Sequence, residues 1–562
     1  MKKHKDSRRP LTKEFWIFSG IVLFLFLLFG WRQFYGFNKN DEIFYISTVY
    51  RFFQGDGMLV DEWNNVQLFA FVTYPLYGLA RLFCHGNDGI VLTFRIFYLV
   101  FQVFVSGYCF CRLKRFGWIR MIPALFYFVT TPYNINSLNY NTLAFGFVLL
   151  AFVTISSTEK PGILDFLLCG FFAAGAVLAN PYAVLLFFLY GILCALTSLF
   201  YLHRWEKVPA QLQIKNFFWI GAGAFLIFVL FLFFVFKRSS LSEILECLTY
   251  IVMDTERKKS FAEKLLKYFI RIHRYYKSEV YLTGCLIAVW IADRKKKIPP
   301  SLYLLLSALT AVPYMVYYGF FWDMVGINYV LIPLAFPGFT AYLVSERKDR
   351  LLFFGWYLPG LFYTLLAHFA TNTGILTVSA SCMISSAASM LLLLEAVKEQ
   401  GKIRWLSCLT GVLLAVQFAA CIYQRIFFVW GDESLSDLTQ ELTKGPLKGI
   451  HTCEENKVLY EEVLLDLEEL ELTKEDKLFV TGIAPWIYLS TEAECAAYST
   501  WETMETDPLI PVYYELRPEK LPTIIYCYEK EEEILDTEFA ESFLQMGYEP
   551  LLMRRGTALL RH

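Results

Sequence analysis

Apolar residues are gathered along the chain into blocks of about 18 to 22 positions, the length of helix that crosses a hydrocarbon core of roughly 30 Å. This pattern predicts a polytopic α-helical membrane protein with about 13 transmembrane helices. Pro132 and Pro181 indicate that the third span and the fifth-to-sixth pair are short or broken. The predicted spans are residues 15–33, 89–111, 121–134, 140–157, 163–180, 182–202, 216–236, 280–292, 301–319, 327–344, 351–370, 375–397 and 404–429.

The charges between the blocks predict the orientation of the chain. Cytoplasmic loops carry an excess of lysine and arginine. We therefore expect a multi-pass protein of the cell membrane with a cytoplasmic N-terminus, and the odd number of spans places the C-terminus outside. Basic residues cluster at 2–9, 112–120, 294–297, 347–350 and 398–404, whereas the connections at 134–141, 180–182, 320–328 and 371–374 contain no lysine or arginine.

Three segments that are too long and too polar to be simple connections fall on the outer side. The prediction divides the chain into a transmembrane region, 1–430, with catalytic outer loops at 34–89 and 237–279, and an extracytoplasmic α/β domain, 431–562. Within that domain no phosphate-binding glycine loop, catalytic triad or zinc spacing is present, which favours an accessory or acceptor-guiding role. Apolar spacing there predicts helices at 460–472 and 531–546 and strands at 477–480 and 523–528.

Composition supports the membrane class. Of the 562 residues 56% are hydrophobic, the mean hydropathy is +0.43 and the net charge is −1, whereas an ordinary soluble chain is more polar. Most of the 13 cysteines lie in predicted spans, and Cys453, Cys495 and Cys527 form an odd set without zinc spacing. No cofactor is predicted with certainty, a divalent metal ion is left open, and no nucleic-acid partner is expected.

The strongest local signal is the carboxylate pair Asp41-Glu42, just past the outer end of the first span. Adjacent residues on a helix point about 100° apart, so one carboxylate faces an acceptor while the other orients a partner, a metal or the loop. An ionised carboxylate at the membrane face is suited to take a proton from an acceptor hydroxyl. Asp61 and Glu62 follow in the same segment, and we predict that they contact substrate. From the residues alone, solvation of a helix end explains these acids equally well.

This acid pair, an amphipathic outer loop ending near Tyr74-Pro75-Leu76, about 13 spans and a C-terminal outer domain together resemble the C-type (GT-C) superfamily of integral membrane glycosyltransferases. In layout the chain resembles the protein O-mannosyltransferases and the aminoarabinose transferases that modify lipid A. The resemblance implies a polyprenyl-phosphate sugar donor, with Asp41 as the general base and Glu42 as its neighbour. The chain departs from the pattern at Thr73-Tyr74-Pro75, where relatives have Lys-Pro-Pro, and in the acid-free connection 136–141, where some branches bind a metal.

The second outer segment, 237–279, carries ten basic residues against six acids, on the face where the positive-inside rule disfavours them. A phosphate leaving group explains this excess, because guanidinium and ammonium groups stabilise the charge that develops on it. The alternative is a basic amphipathic helix, 261–276, lying on the anionic head groups of membrane lipids, and both interpretations are compatible. Candidate ligands of the donor phosphate are Arg95, Arg257, Lys258, Arg271 and Arg274.

The connection before the fourth span contains two further candidates. Asn139 and Asn141 are predicted to bind sugar hydroxyls, and capping of the next helix explains them equally well.

The leading hypothesis is an inverting glycosyltransferase that moves a hexose or pentose from a polyprenyl-phosphate donor to a lipid, glycan or protein acceptor on the outer face of the membrane. The first alternative is a transporter or flippase for a lipid-linked substrate. It is disfavoured because no internal repeat is found and the acids cluster outside instead of at mid-membrane. The second alternative is a polymerase or ligase of surface polysaccharide, for which we would expect the main outer loop late in the chain.

Overall fold

The computed structural model describes residues 12–158, 160–200, 209–252, 260–293, 295–314, 316, 331–369, 375–401, 404–501, 503–530 and 532–561, and within these residues the protein is mostly helical. Parts of the predicted spans 301–319 and 327–344 lie outside the described residues, and so do the candidate phosphate ligands Arg257 and Lys258.

Nineteen helices precede the C-terminal region in the described residues. They are α1 (Lys13–Arg32), α2 (Asp41–Gln54), α3 (Phe69–Ala80), α4 (Ile90–Arg112), α5 (Met121–Val129), α6 (Tyr140–Ser156), α7 (Ile163–Ala179), α8 (Ala183–Phe200), α9 (Ile214–Phe236), α10 (Leu241–Val252), α11 (Phe261–Tyr275), α12 (Lys277–Ala292), α13 (Pro300–Leu309), α14 (Val312–Tyr314), α15 (Pro337–Val344), α16 (Arg350–Leu352), α17 (Leu358–Phe369), α18 (Ile375–Glu399) and α19 (Arg404–Phe427). A π-helical turn, Phe353–Tyr357, joins α16 to α17.

The C-terminal region contains a mixed sheet with helices around it. The sheet order is β4-β3-β5-β7-β6, with β3 parallel to β4 and β5, and β7 antiparallel to β5 and β6. A separate antiparallel pair, β1 and β2, precedes it. These elements are β1 (Gln440–Glu441), β2 (His451–Thr452), α20 (Glu454–Glu469), β3 (Lys477–Thr481), α21 (Trp486–Leu489), β4 (Glu494–Cys495), α22 (Leu509–Leu516), β5 (Ile524–Tyr528), α23 (Glu538–Gln545), β6 (Tyr548–Leu552) and β7 (Gly556–Arg561).

The strands predicted at 477–480 and 523–528 correspond to β3 and β5. Both are central in the sheet and almost wholly buried, which explains their continuous apolar sequences. The helix predicted at 531–546 is shorter, because Thr537 caps a new helix by accepting the backbone N–H of Ala540.

Six helical stretches are long and apolar enough to cross a membrane. They are Lys13–Arg32, Ile90–Arg112, Ile214–Phe236, Arg350–Phe369, Ser381–Glu399 and Arg404–Phe427, and six shorter apolar helices accompany them in the described residues. The chain is therefore a multi-pass helical protein, whereas the number of 13 spans and the orientation of the termini stay predictions.

Helical structure is interrupted near both Pro132 and Pro181. Helix α5 ends at Val129, and the backbone is extended at Thr130 and Thr131 before Pro132 begins a short 3-10 turn. Helices α7 and α8 are separated at Pro181. Proline removes a backbone donor and restricts the residue before it, so each break follows from the sequence.

Helices α7 and α9 approach each other through glycine. A Cβ atom on Gly170 would lie 1.9 Å from the carbonyl oxygen of Ile220, and one on Gly223 would lie 2.1 Å from that of Leu167. Small residues permit such backbone contact between helices in a membrane.

We expect Gly170→Ala to destabilise the protein by about 1–3 kcal/mol, because the added methyl group forces the two helices apart. Thermal unfolding in detergent measures the effect. Gly221→Ala is the matched control, because a Cβ there meets no atom within 4 Å and alanine has the higher helix propensity. Equal behaviour of the two variants would contradict the close approach of α7 and α9.

The first outer segment, α10 and the C-terminal region share a hydrophobic core that includes the N-terminal part of α4 and the C-terminal part of α9, and a second core lies among the other helices. Trp63 of the first segment stacks on Tyr250 of α10 with ring centroids 4.9 Å apart, and meets Tyr513 of α22 edge-on at 5.1 Å. Phe44 of α2 packs against Trp501 of the C-terminal region with centroids 4.8 Å apart. Helix α2, which begins with the acid pair, is thereby fixed between the membrane region and the sheet.

Candidate functional site

The acid pair lies where the C-terminal ends of α1 and α19 meet. Helix α2 begins at Asp41, so both carboxylates occupy its first turn, where negative charge complements the helix dipole. The indole N–H of Trp430, three residues past α19, donates to Asp41 Oδ2 at 2.8 Å. Sequence reasoning missed this tryptophan, because a contact across 389 residues leaves no local pattern.

Glu42 points away from Asp41 and is buried against Arg95 of α4. Its two oxygens accept from Arg95 Nε at 2.7 Å and Nη2 at 2.6 Å. The remaining guanidinium N–H groups donate to the carbonyl oxygens of Gln33, Tyr35 and Gly36, so all five donors are occupied by the protein. The structure therefore gives Arg95 a partner other than the predicted donor phosphate: it neutralises Glu42 and fixes the turn between α1 and α2.

Asp41 is in a different electrostatic position from its neighbour. It is partly buried, and this burial raises its pKa above the ordinary value of 3.8, while the hydrogen bond from Trp430 acts in the opposite direction. Among the described residues no group donates to Oδ1 of Asp41. A carboxylate with a raised pKa is a stronger base, and its second oxygen is available to a substrate hydroxyl.

A small polar cavity adjoins the pair. Its lining includes Asn38, Glu42, Asn136 and Trp430. In the part of the chain that the structure describes, three buried side-chain oxygens near this turn accept no hydrogen bond: Gln33 Oε1, Asn40 Oδ1 and Asn136 Oδ1. An unpaired buried acceptor costs about 1–3 kcal/mol. Of these three residues Asn136 lines the cavity, whose volume of about 10 Å³ admits a water-sized group.

Two further arginines lie at the same level of the helix bundle. Arg32, at the end of α1, donates to the carbonyl oxygens of Ile426 and Phe428 at 2.7 and 3.0 Å. Arg425, near the end of α19, donates to Gln102 Oε1 at 2.5 Å and has its guanidinium 4.0 Å from the ring centroid of Phe29. Neither makes an ion pair among the described residues.

Sequence reasoning missed both arginines although a signal was present. Each is a charged residue inside a predicted span, and such residues mark functional sites in membrane proteins. The Arg32 guanidinium is repelled by Arg95 and Arg425 and attracted by Glu42, so its charge lies near all three of these groups.

Asp61 and Glu62, predicted to bind substrate, are instead buried in ion pairs within the protein. Glu62 Oε2 lies 2.8 Å from Arg51 Nη1, and Asp61 Oδ1 lies 2.9 Å from Arg517 Nη2. Both acids are at most 5% exposed. Protein cations therefore contact both carboxylates, and their binding of substrate stays a prediction.

The same network includes Asp56. Its carboxylate bridges Arg51 Nε at 2.7 Å and Lys520 Nζ at 2.6 Å. Burial opposes ionisation, yet Arg51 and Lys520 outweigh it and hold the pKa of Asp56 below its usual range. These pairs join the first outer segment to the C-terminal region, which is a structural role.

The predicted sugar-binding asparagines have unlike surroundings. Asn139 caps α6, because its side-chain oxygen accepts the backbone N–H groups of Asn141 and Thr142 at 2.9 Å each. It is 2% exposed and caps the helix, and its contact with sugar stays a prediction. The side chain of Asn141 is half-buried, and its role in binding stays a prediction.

The described part of the second outer segment contains α11, which packs on the outer end of α17. Phe261 stacks on Phe369 with centroids 4.7 Å apart, and His368 Nε2 lies 3.1 Å from the carbonyl oxygen of Lys264. Arg271 is half-buried and Arg274 is exposed on this helix. Their contact with a donor phosphate stays a prediction.

Metal binding gains no support from the described residues. Among them no group of three or more histidine, cysteine, aspartate or glutamate side chains is arranged to hold a metal ion.

Comparison with known proteins finds similarity to solved structures. No family model and no curated protein matches the chain. The solved structure of ArnT from Cupriavidus metallidurans bound to undecaprenyl phosphate is similar to it, with 10% sequence identity, coverage of 98% of each chain and a TM-score of 0.40. An identity and a TM-score this low do not by themselves assign a fold or an activity.

Proposed function

We propose that the protein transfers a sugar from a polyprenyl-phosphate donor to an acceptor hydroxyl on the outer face of the membrane. The proposal rests on the surroundings of the Asp41 carboxylate. Its carboxylate is held by Trp430, has a raised pKa and leaves Oδ1 without a partner among the described residues. It also adjoins Asn40, whose buried side-chain oxygen accepts no hydrogen bond in the described part of the chain.

The reaction follows from these groups. Oδ1 of Asp41 accepts the proton of the acceptor hydroxyl while the hydroxyl oxygen attacks the anomeric carbon of the donor sugar. The bond between that carbon and the phosphate oxygen breaks, and polyprenyl phosphate leaves with the electron pair. A single displacement of this kind inverts the anomeric configuration.

Arg425 is the residue best suited to the leaving phosphate. Its Nε is buried and has no acceptor among the described residues. Glu42 is already paired with Arg95, so the charge of Arg425 is not balanced by a contacting carboxylate. A phosphate supplies that balance, and charge-assisted hydrogen bonds in a dry site are strong.

We expect Arg425→Gln to raise the KM for the lipid donor about 10–100-fold, since one hydrogen bond to a charged group contributes about 1.5–3 kcal/mol. Arg425→Lys keeps the charge and should have a smaller effect. The measurement is transfer by purified protein in vesicles, with formation of the glycoside and release of polyprenyl phosphate as readouts.

The double variant Arg271→Gln/Arg274→Gln tests whether α11, and not Arg425, binds the donor phosphate. A raised donor KM in the double variant alone would assign the phosphate to α11. An unchanged KM in all variants would contradict recognition of the phosphate by either group of arginines. Movement of a lipid-linked substrate across the bilayer without a new glycosidic bond would replace the transferase proposal by a transporter.

A further inference from the structure

A second, larger cavity lies between the first outer segment and the C-terminal region. Its volume is about 480 Å³, within the range of about 300–1,000 Å³ that is usual for small-molecule sites. Tyr50 of α2 lines it, nine residues after Asp41, which corresponds to about 14 Å along the helix at 1.5 Å per residue. The cavity is therefore separate from the surroundings of Asp41.

Hydrogen bonds across the cavity fix its walls relative to each other. The Tyr50 hydroxyl donates to the carbonyl oxygen of Thr491 at 3.0 Å. The side-chain amide of Asn87 donates to the carbonyl oxygen of Leu489 at 2.9 Å, and its oxygen accepts from Tyr77 and Arg81. Both walls are thus held mainly by neutral contacts, and Arg81 is the charged lining residue that takes part, through its hydrogen bond to Asn87.

The charges that line this cavity are mixed. Arg81 and Lys444 stand against Asp88, Glu468 and Glu492. Such a lining disfavours a phosphate or another polyanion, because carboxylates outnumber the permanent cations. The ion pairs involved are long or exposed, as the distance of 4.0 Å between Lys444 and Glu468 illustrates, so the groups are available to a ligand.

The rest of the lining is apolar. Leu464, Leu467 and Leu472 of α20 and the loop that follows it contribute aliphatic surface. Carboxylates accept hydrogen bonds from hydroxyl groups, a guanidinium donates to them, and aliphatic side chains cover C–H faces. A neutral ligand with many hydroxyl groups can therefore contact the carboxylates, the guanidinium and the aliphatic side chains of this cavity.

We propose that this cavity binds a neutral saccharide. Resting on the proposed transferase function, we assign it to a part of the acceptor glycan remote from the hydroxyl that receives the sugar. Binding in the cavity holds that glycan against α2, along which Asp41 lies about 14 Å away. Arg81 and Glu492 are the two side chains that supply a donor and an acceptor to the ligand.

The test is equilibrium binding of neutral trisaccharides to the full chain in lipid nanodiscs. The probes are maltotriose, mannotriose and chitotriose, with trigalacturonate as an anionic comparator of equal length. We expect at least one neutral trisaccharide to bind, and Arg81→Gln and Glu492→Gln to weaken it by about 10-fold each, as for a lost hydrogen bond to a charged group. Glu475→Gln, at an exposed position that does not line the cavity, is the control.

The outcomes separate this inference from the proposed function. Failure of every neutral probe, stronger binding of trigalacturonate, or binding unaffected by Arg81→Gln and Glu492→Gln would overturn the saccharide site. Asp41→Asn should bind the trisaccharide as the parent does, because its carboxylate lies at the other end of α2. Saccharide binding without any sugar transfer would remove the transferase proposal and leave the cavity assignment intact.

Discussion

Replacing Asp41 with asparagine should lower the rate of sugar transfer by about 10²–10⁴-fold, the usual contribution of a positioned general base. Asparagine keeps the size of the side chain and can still accept the Trp430 indole N–H through its amide oxygen. It cannot take the proton of the acceptor hydroxyl. Expression and donor affinity should change little, because no ion pair is lost at Asp41 among the described residues.

The pH dependence of transfer gives an independent check on the same residue. Only the ionised carboxylate accepts a proton, so the rate should fall on acidification through the pKa of Asp41. Burial raises that pKa above 3.8, so the fall should begin at a higher pH than for an exposed aspartate. The residual activity of Asp41→Asn should lack this acid limb.

Asp437→Asn is the matched control, because Asp437 is an exposed carboxylate of the outer region that bonds only to nearby serines among the described residues. It should transfer sugar at the parent rate. Parental activity in purified Asp41→Asn would instead show that another group acts as the base.

The membrane helices were predictable because their apolar blocks match the thickness of the bilayer, and the sheet because its central strands are continuously apolar. The acid pair was also visible in the sequence, as charge at the outer end of a span. The different roles of its two carboxylates could not be predicted from the sequence. Asp41 and Glu42 differ because one meets Trp430 and the other meets Arg95, and both partners are remote in sequence.

The same limit explains why the ion pairs of Asp61 and Glu62 were not predicted from the sequence. Acidic residues in an outer loop suggest a site when their partners are unknown. The partner of Asp61, Arg517, comes more than 450 residues later, and Glu62 is taken by Arg51 on the neighbouring helix. Burial of these carboxylates is decided by how the C-terminal region packs on the loop, which periodicity along the chain does not encode.

The ion pair between Glu42 and Arg95 leads to the second large effect, on stability. Arg95→Leu should lower the free energy of unfolding by about 3–5 kcal/mol, because it leaves a buried carboxylate without its cation. Glu42 is 2% exposed, so water cannot replace the guanidinium. The carbonyl oxygens of Gln33 and Gly36 also lose their donors, which should loosen the turn that leads to Asp41. Thermal unfolding in detergent measures the loss.

A double variant tests whether the pair acts as a unit. Glu42→Leu/Arg95→Leu removes both charges, so it should recover part of the stability lost in Arg95→Leu, since replacing a whole buried pair is less costly than breaking it. Glu461→Gln, which breaks an exposed pair with Lys457 on α20, should change stability by less than about 1 kcal/mol. The opposite outcome is that Arg95→Leu unfolds at the same temperature as the parent and only raises the KM for the lipid donor. That result would contradict the ion pair between Glu42 and Arg95 and would assign Arg95 to the donor phosphate.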